Sequence, residues 1–305
     1  MKSLSLPGTE LPVSGIILGC MRIAKMPVND VSRLLNTALD AGINYFDHAD
    51  IYGAGKSEEV FAAALELTPA QREKIYIQTK CGIRKGFYDF SKEHILASVD
   101  ASLKRLKTDY VDTLLLHRPD TLMEPEEVAE AFDRLEASGK VKHFGVSNHN
   151  PGQIEFLQKY LKQPLFINQL QFSITNSGMI DRGINVNMEN PASVDHDGGI
   201  LEYCRLKNIR IQPWSPFLFG FFEGVYLDHP KFPDLNVVLD RMAKEKGIAK
   251  EALVIAWILR HPAKMQPVVG TTSPERVKNI CRASDISLSR PEWYEIYRAA
   301  GKQLP

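Results

Sequence analysis

Short β-rich apolar runs alternate along the chain with longer stretches whose apolar residues recur three and four apart, the pattern of βαβ units around a parallel sheet. Eight runs read as strands: Gly15 to Leu18, Asn44 to Asp47, Ile75 to Thr79, Val111 to Leu116, His143 to Val146, Phe166 to Leu170, Arg210 to Trp214 and Gln266 to Val269. Between them Val28 to Ala41, Lys92 to Lys107, Glu126 to Ser138 and Asp234 to Lys246 each gather their apolar residues on one helical face. Ser91 stands before one of these patterns as a start signal, and Gly42 and Gly139 follow others as stops. Eight strands in 305 residues with no linker predict a single domain over 1–305, a closed (β/α)8 barrel of the TIM type. An open doubly wound sheet would show about five or six strands. No GxGxxG follows the first run, where Gly19-Cys20-Met21-Arg22 offers one glycine.

Two segments fall outside the alternation. Ser3 to Val13, with Pro7-Gly8 between alternating residues, predicts an N-terminal β-hairpin that plugs the bottom of the barrel. Ser173 to Gly199, rich in Asn, Asp and Gly after the sixth run, is expected to be a long loop at the functional face.

Composition narrows the function classes. At 44% hydrophobic and 24% charged residues the chain has ample material for a core. Lys plus Arg equals Asp plus Glu at 37 each, so no overall field recruits nucleic acid or an acidic membrane surface, and a small neutral or compact anionic ligand is expected. Cys20, Cys81, Cys204 and Cys281 are scattered without a CxxC pair, which predicts small buried apolar residues rather than a zinc site or disulfides. The first residues are too short a run, broken by Pro7 and Gly8, for a signal peptide, and no stretch of about 18 apolar residues follows. A soluble, cytoplasmic protein is the expectation.

In a β/α barrel, side chains at the C-terminal strand ends converge on one mouth. The second run ends in Phe46-Asp47-His48-Ala49-Asp50-Ile51-Tyr52-Gly53, the third in Thr79-Lys80-Cys81, and the fourth in Leu115-Leu116-His117-Arg118-Pro119-Asp120. Alone, Lys80 reads as a snorkelling surface lysine, His117 as a core histidine and Tyr52 as a cover for the core. Together an acid, a tyrosine, a lysine and a histidine at three successive strand ends suit carbonyl reduction. That chemistry needs a proton donor, and a phenol with its ordinary pKa near 10 is too weak an acid at neutral pH. A neighbouring ammonium is expected to lower the Tyr52 value, with a carboxylate beyond it keeping the lysine charged.

This set resembles the Asp, Tyr, Lys, His tetrad of the aldo-keto reductase superfamily, over nearly the whole chain. Within it the chain looks most like the bacterial YdhF-type oxidoreductases, given Lys80-Cys81-Gly82-Ile83 and His117-Arg118-Pro119-Asp120 with His143-Phe144-Gly145-Val146-Ser147-Asn148. The resemblance implies Tyr52 as general acid, Lys80 tuning its pKa, Asp47 paired with Lys80, and His117 orienting the carbonyl. It implies NADP(H) as cofactor, with NAD(H) left open. Asp47 would serve the cofactor too, along with Gly19 and Met21 at the first strand end. Ser147, Asn148 and Gln169 would hold the nicotinamide carboxamide, Trp214 would stack on its ring, and Ser215 with Phe217 would border the pyrophosphate.

Gly270, Thr271, Thr272, Arg276 and Asn279 resemble the family's motif for the adenosine 2′-phosphate, around a helix start capped by Ser273 with Pro274 at its first position. Gly270 replaces a lysine found in many members, and Ile280 takes the usual adenine-contacting asparagine position. Phe217-Leu218-Phe219-Gly220-Phe221-Phe222 reads equally as a ligand wall or as core packing. Arg118 faces either a substrate carboxylate or a salt bridge with Asp120 or Glu124, and the salt bridge is the expectation.

The implied activity is NADP(H)-dependent reduction of an aldehyde or ketone, without metal and with a small carbonyl substrate as partner. The alternatives are a cofactor-binding regulatory subunit on the same barrel and an unrelated barrel isomerase or hydrolase. Oligomeric state and substrate stay open at this level.

Overall fold

The computed structural model describes residues 3–5 and 12–304. Eight parallel strands close into one barrel in sequence order: β1 Ile17–Gly19, β2 Tyr45–Asp47, β3 Tyr76–Cys81, β4 Val111–Leu116, β5 Val141–Ser147, β6 Leu165–Gln171, β7 Arg210–Trp214 and β8 Val268–Val269. Closure comes from β8 pairing β1, Val268 opposite Ile17. Every expected strand forms, and the four expected helices appear at Val28–Asp40, Lys92–Leu106, Pro125–Ala137 and Pro233–Lys246. Ser91 caps its helix by accepting from the His94 amide, and Ser273 does the same for Arg276.

The hairpin strands Ser3–Leu4 and Val13–Ser14 pair antiparallel, while the Pro7-Gly8 turn lies outside the described residues. Val13 packs with Ile17, Tyr45, Tyr76 and Val268, which closes the N-terminal end of the barrel. The expectation of one long loop over Ser173–Gly199 needs correction: the segment contains a helix at Gly178–Ile184 and a 3-10 turn at Pro191–Ser193. The helix is fastened by Asp181, whose carboxylate accepts from Ser177 at 2.8 Å, Tyr297 at 2.9 Å and Lys302 at 2.5 Å. Those last two partners lie more than a hundred residues away, beyond the reach of local pattern reading. No described helix is long and apolar enough to cross a membrane.

Above the apolar plug the barrel interior is polar. The hydroxyl of Tyr45 donates to Gln78, whose amide donates to Gln212 at 2.9 Å and to Asp47 at 2.5 Å. Gln169 donates to the same two acceptors, at 3.1 and 3.0 Å. Gln212 reaches Gln266, which donates to the Ser14 carbonyl of the hairpin. An amide chain therefore runs from the hairpin to the floor of the mouth, and a buried polar chain of this kind holds only when its members satisfy one another.

Beside Asp47, His48 points outward into the layer between strands and helices, edge-on to Phe61 at 4.6 Å. It has no solvent exposure, and neither ring nitrogen has a hydrogen-bond partner among the described residues. Burial, helped by the Lys80 charge, pushes its pKa down to about 3. In the unfolded chain it titrates near 6.5, so His48 leaves stability untouched above that pH. As the pH falls from about 6.5 towards 3 it withdraws roughly 1 kcal/mol per pH unit. Asp50, pushed up to about 6 by burial, acts in the opposite sense over part of this range. The difference between wild type and His48→Phe isolates the histidine. Denaturant unfolding at several pH values should show this difference shrinking in favour of the variant below pH about 6.5; a difference flat in pH would refute the assignment.

Candidate active site

The C-terminal ends of β2, β3 and β4 bring the four tetrad candidates together. The Lys80 ammonium lies 2.7 Å from both Asp47 carboxylate oxygens, 2.8 Å from the His48 carbonyl and 3.2 Å from the Tyr52 hydroxyl. Lys80 has no solvent exposure, which rejects the snorkelling reading. The His117 ring stands edge-on to Tyr52, centroids 6.0 Å apart. Tyr52 is carried by a turn closed by its amide on the Ala49 carbonyl and by the Ser57 amide on its own carbonyl. Ser57 in turn donates to the Cys20 carbonyl at 2.5 Å, tying the turn to the end of β1. Behind it, buried Glu58 accepts from Thr79 and Arg105, both at 2.7 Å, and anchors helix Lys56–Leu65 to β3.

Burial acts on Lys80, Tyr52 and His117 in a characteristic direction. It pulls on the Lys80 ammonium, but Asp47, with help from Tyr52, more than compensates, and the lysine stands above its ordinary value. Burial lifts Tyr52 above the ordinary phenol value while Lys80 opposes it. The expectation of a net lowered Tyr52 is corrected here: the ammonium favours the phenolate, but desolvation of the half-buried phenol outweighs it. His117 is driven well below the ordinary histidine range by burial and then by the Lys80 and Arg118 charges, so its imidazole is neutral at physiological pH.

Over this floor opens a cavity of about 890 Å³, lined at one end by Tyr52, His117, Ile51, Tyr88 and Arg118 and at the other by Ser215, Thr271, Thr272 and Arg276. All the cofactor-side candidates line it except Asn279. Ile280 is fully buried in the core and does not line the cavity. The Asn148 amide donates to Ser147 at 2.8 Å, and its oxygen accepts from the Trp214 indole at 3.0 Å. Trp214 is also stacked with Phe222, centroids 5.7 Å apart. The aromatic segment divides its work: Phe219 is buried away from the cavity, while Phe217, buried Leu218 and exposed Phe221 and Phe222 line it. Arg276 pairs with Glu251 at 3.2 Å. All four cysteines are buried and free.

The expected Arg118 salt bridge does not form. The Asp120 carboxylate accepts instead from the Phe90 and Leu122 amides, each at 2.9 Å, and thereby shapes its own loop. The Arg118 guanidinium lies over Trp214, 5.8 Å from the ring centroid.

Sequence reading missed several contributors. Gln78 and Gln212 support Asp47 from below, and the available signal was their position two residues before Lys80 and Trp214 on the same strand face. Arg22, Asp228, Lys250 and Glu251 also line the cavity, and no local motif marks them.

Barrel and site define an oxidoreductase-like mouth with a buried Lys–Asp pair under a tyrosine. The Aldo/keto reductase family matches residues 15–300, and the chain belongs to that family of oxidoreductases. It is 36% identical to a 6-dehydroglucose reductase of Agrobacterium fabrum, covering 97% of each chain. It is 35% identical to the oxidoreductase YdhF of Escherichia coli over 96% of this chain and 95% of that one. Its fold superposes on a glycerol dehydrogenase from Gluconobacter oxydans with a TM-score of 0.78, at 23% identity over 97% of this chain and 94% of that one.

The buried pair sets a stability prediction. Lys80→Met strands the Asp47 carboxylate with amide donors only, and should cost about 3–5 kcal/mol. Combining it with Asp47→Asn removes the stranded charge and should recover much of that loss. Urea unfolding of the two single variants and the double variant measures the coupling, and additive losses would contradict it.

Proposed function

We propose that this protein reduces aldehyde or ketone carbonyls to alcohols with NADP(H), Tyr52 acting as the general acid. The observation that carries the reading is the Lys80 ammonium bridging the Asp47 carboxylate and the Tyr52 hydroxyl at the floor of the cavity. The donor set along the cavity suits a nicotinamide dinucleotide: amides at Asn148 and Gln169, hydroxyls at Ser215, Thr271 and Thr272, and cations at Lys250 and Arg276. Asn148, Gln169 and Trp214 would hold the nicotinamide end, and Thr271 with Arg276 the 2′-phosphate. When bound, the reduced nicotinamide supplies the hydride that the carbonyl carbon receives.

The chain's own groups supply the rest. Tyr52 keeps its proton at neutral pH because burial raises its pKa, so it is in the donor form. As hydride reaches carbon, the carbonyl π pair moves onto oxygen and takes the Tyr52 proton, leaving an alcohol and a phenolate. That phenolate forms 3.2 Å from the Lys80 ammonium, which stabilises it, and solvent returns the proton afterwards. Neutral His117 donates a ring N–H to the carbonyl oxygen. Its Nδ1 is buried without a partner among the described residues, so the tautomer with the proton on Nε2 leaves no buried donor unmet.

Tyr52→Phe should bind the cofactor normally and lose turnover by about a hundredfold or more. Nicotinamide fluorescence and a carbonyl substrate panel measure both, and retained turnover would rule out Tyr52 as the acid. Arg276→Ala should weaken NADPH by about tenfold or more while changing NADH far less, because only the former carries a phosphate for the guanidinium. Equal losses for the two cofactors would remove Arg276 from the phosphate site.

A further inference from the structure

Building on the reductase reading, we infer that Arg118 is a specificity residue that engages a carboxylate on the substrate, so that the enzyme favours short carbonyl compounds bearing an acid group a few bonds from the reacting carbon.

The charges around the cavity do not cancel locally. Three carboxylates line it, and each has its own partner: Asp47 with Lys80, Asp228 with Lys250, and Glu251 with Arg276. Two lining arginines, Arg22 and Arg118, have no ion pair and no side-chain hydrogen bond among the described residues. Arg22 follows Met21 at the end of β1, beside the dinucleotide stretch, whereas Arg118 follows His117 directly and stands on the carbonyl side.

Arg118 is held in place rather than free to wander. It is half-buried, its guanidinium lies over the Trp214 ring, and the indole is fixed by its bond to Asn148. The acids nearest in sequence do not neutralise it: Asp120 is committed to two backbone amides, and Glu124, at the start of helix Pro125–Ala137, makes no ion pair with Arg118. A partly desolvated guanidinium with its donors unfilled is matched by a carboxylate, which takes two parallel N–H bonds in one plane. A neutral carbonyl compound leaves those donors unmet, and that difference discriminates between substrates.

The test compares kcat/KM with NADPH for 4-oxobutanoate, butanal and glyceraldehyde, using the full chain. The wild type should favour 4-oxobutanoate over butanal by about tenfold or more, chiefly through KM. Arg118→Met should collapse that ratio towards one, and Arg118→Lys should retain part of it. Butanoate should compete with butanal in the wild type more strongly than 1-butanol does, a measurement that needs no variant. A wild type that prefers butanal or glyceraldehyde, or a ratio that Arg118→Met leaves unchanged, overturns the assignment to Arg118. Those results leave the reductase reading standing, whereas absence of turnover for every carbonyl with either NADPH or NADH overturns both.

Discussion

A lysine with no solvent exposure must find its counter-charge and its hydrogen bonds inside the protein, and Lys80 finds them in Asp47, the His48 carbonyl and the Tyr52 hydroxyl. Much of the barrel interior serves that requirement. An ion pair this deep is costly unless its remaining lone pairs are met, and the Gln78 and Gln169 amides meet them on Asp47. Those amides in turn need acceptors, which Gln212 provides. The line continues through Gln266 to the Ser14 carbonyl of the hairpin. The hairpin thus does more than shield the bottom of the barrel from water: it accepts the last hydrogen bond of a column whose upper end is the candidate catalytic pair.

The same economy shapes the rim. Trp214 ends β7, Asn148 follows β5 and Phe222 belongs to the segment after β7, and the indole touches all of these elements through one hydrogen bond and one stack. Its Nε1–H has a partner, as a half-buried indole requires, and its ring is the surface against which Arg118 rests. Fixing one aromatic ring therefore places an amide on one side of the cavity and a guanidinium on another. Phe221 and Phe222 pack against the same ring and line the same cavity.

What could be read from sequence follows from the range over which each feature is determined. The eight strands and the tetrad depend on local apolar periodicity and on residues at strand ends, so Asp47, Tyr52, Lys80 and His117 were legible in short windows. The amide column was not, because Gln78, Gln169 and Gln212 stand at inward positions that ordinarily carry branched apolar residues, and their partners are set by barrel register. Gly178–Ile184 escaped notice because Asp181 fastens it to Tyr297 and Lys302 near the other end of the chain. The Arg118 expectation failed for a related reason: nearby Asp120 was available in sequence, but its carboxylate serves the backbone of its own loop. For Tyr52 the neighbouring charge was visible, and the depth of enclosure that outweighs it was not.

Enclosure also bears on how the proposed site can hold both an acid and a neutral hydrogen-bond donor. Burial favours the uncharged form of any titrating group, so it lifts the Tyr52 phenol and lowers the His117 imidazole, leaving both neutral at the same pH. In the proposed reaction, a charged histidine would be a second cation facing the carbonyl oxygen, favouring a free alkoxide over a protonated one and working against proton transfer from Tyr52. Had the phenol been ionised, no proton would be at hand. The Lys80–Asp47 pair adds no net charge beside them, so the uncompensated charge near the carbonyl end is that of Arg118. On the proposed reading that leaves the carbonyl oxygen to neutral donors, and leaves Arg118, without an ion pair among the described residues, for a different part of the substrate.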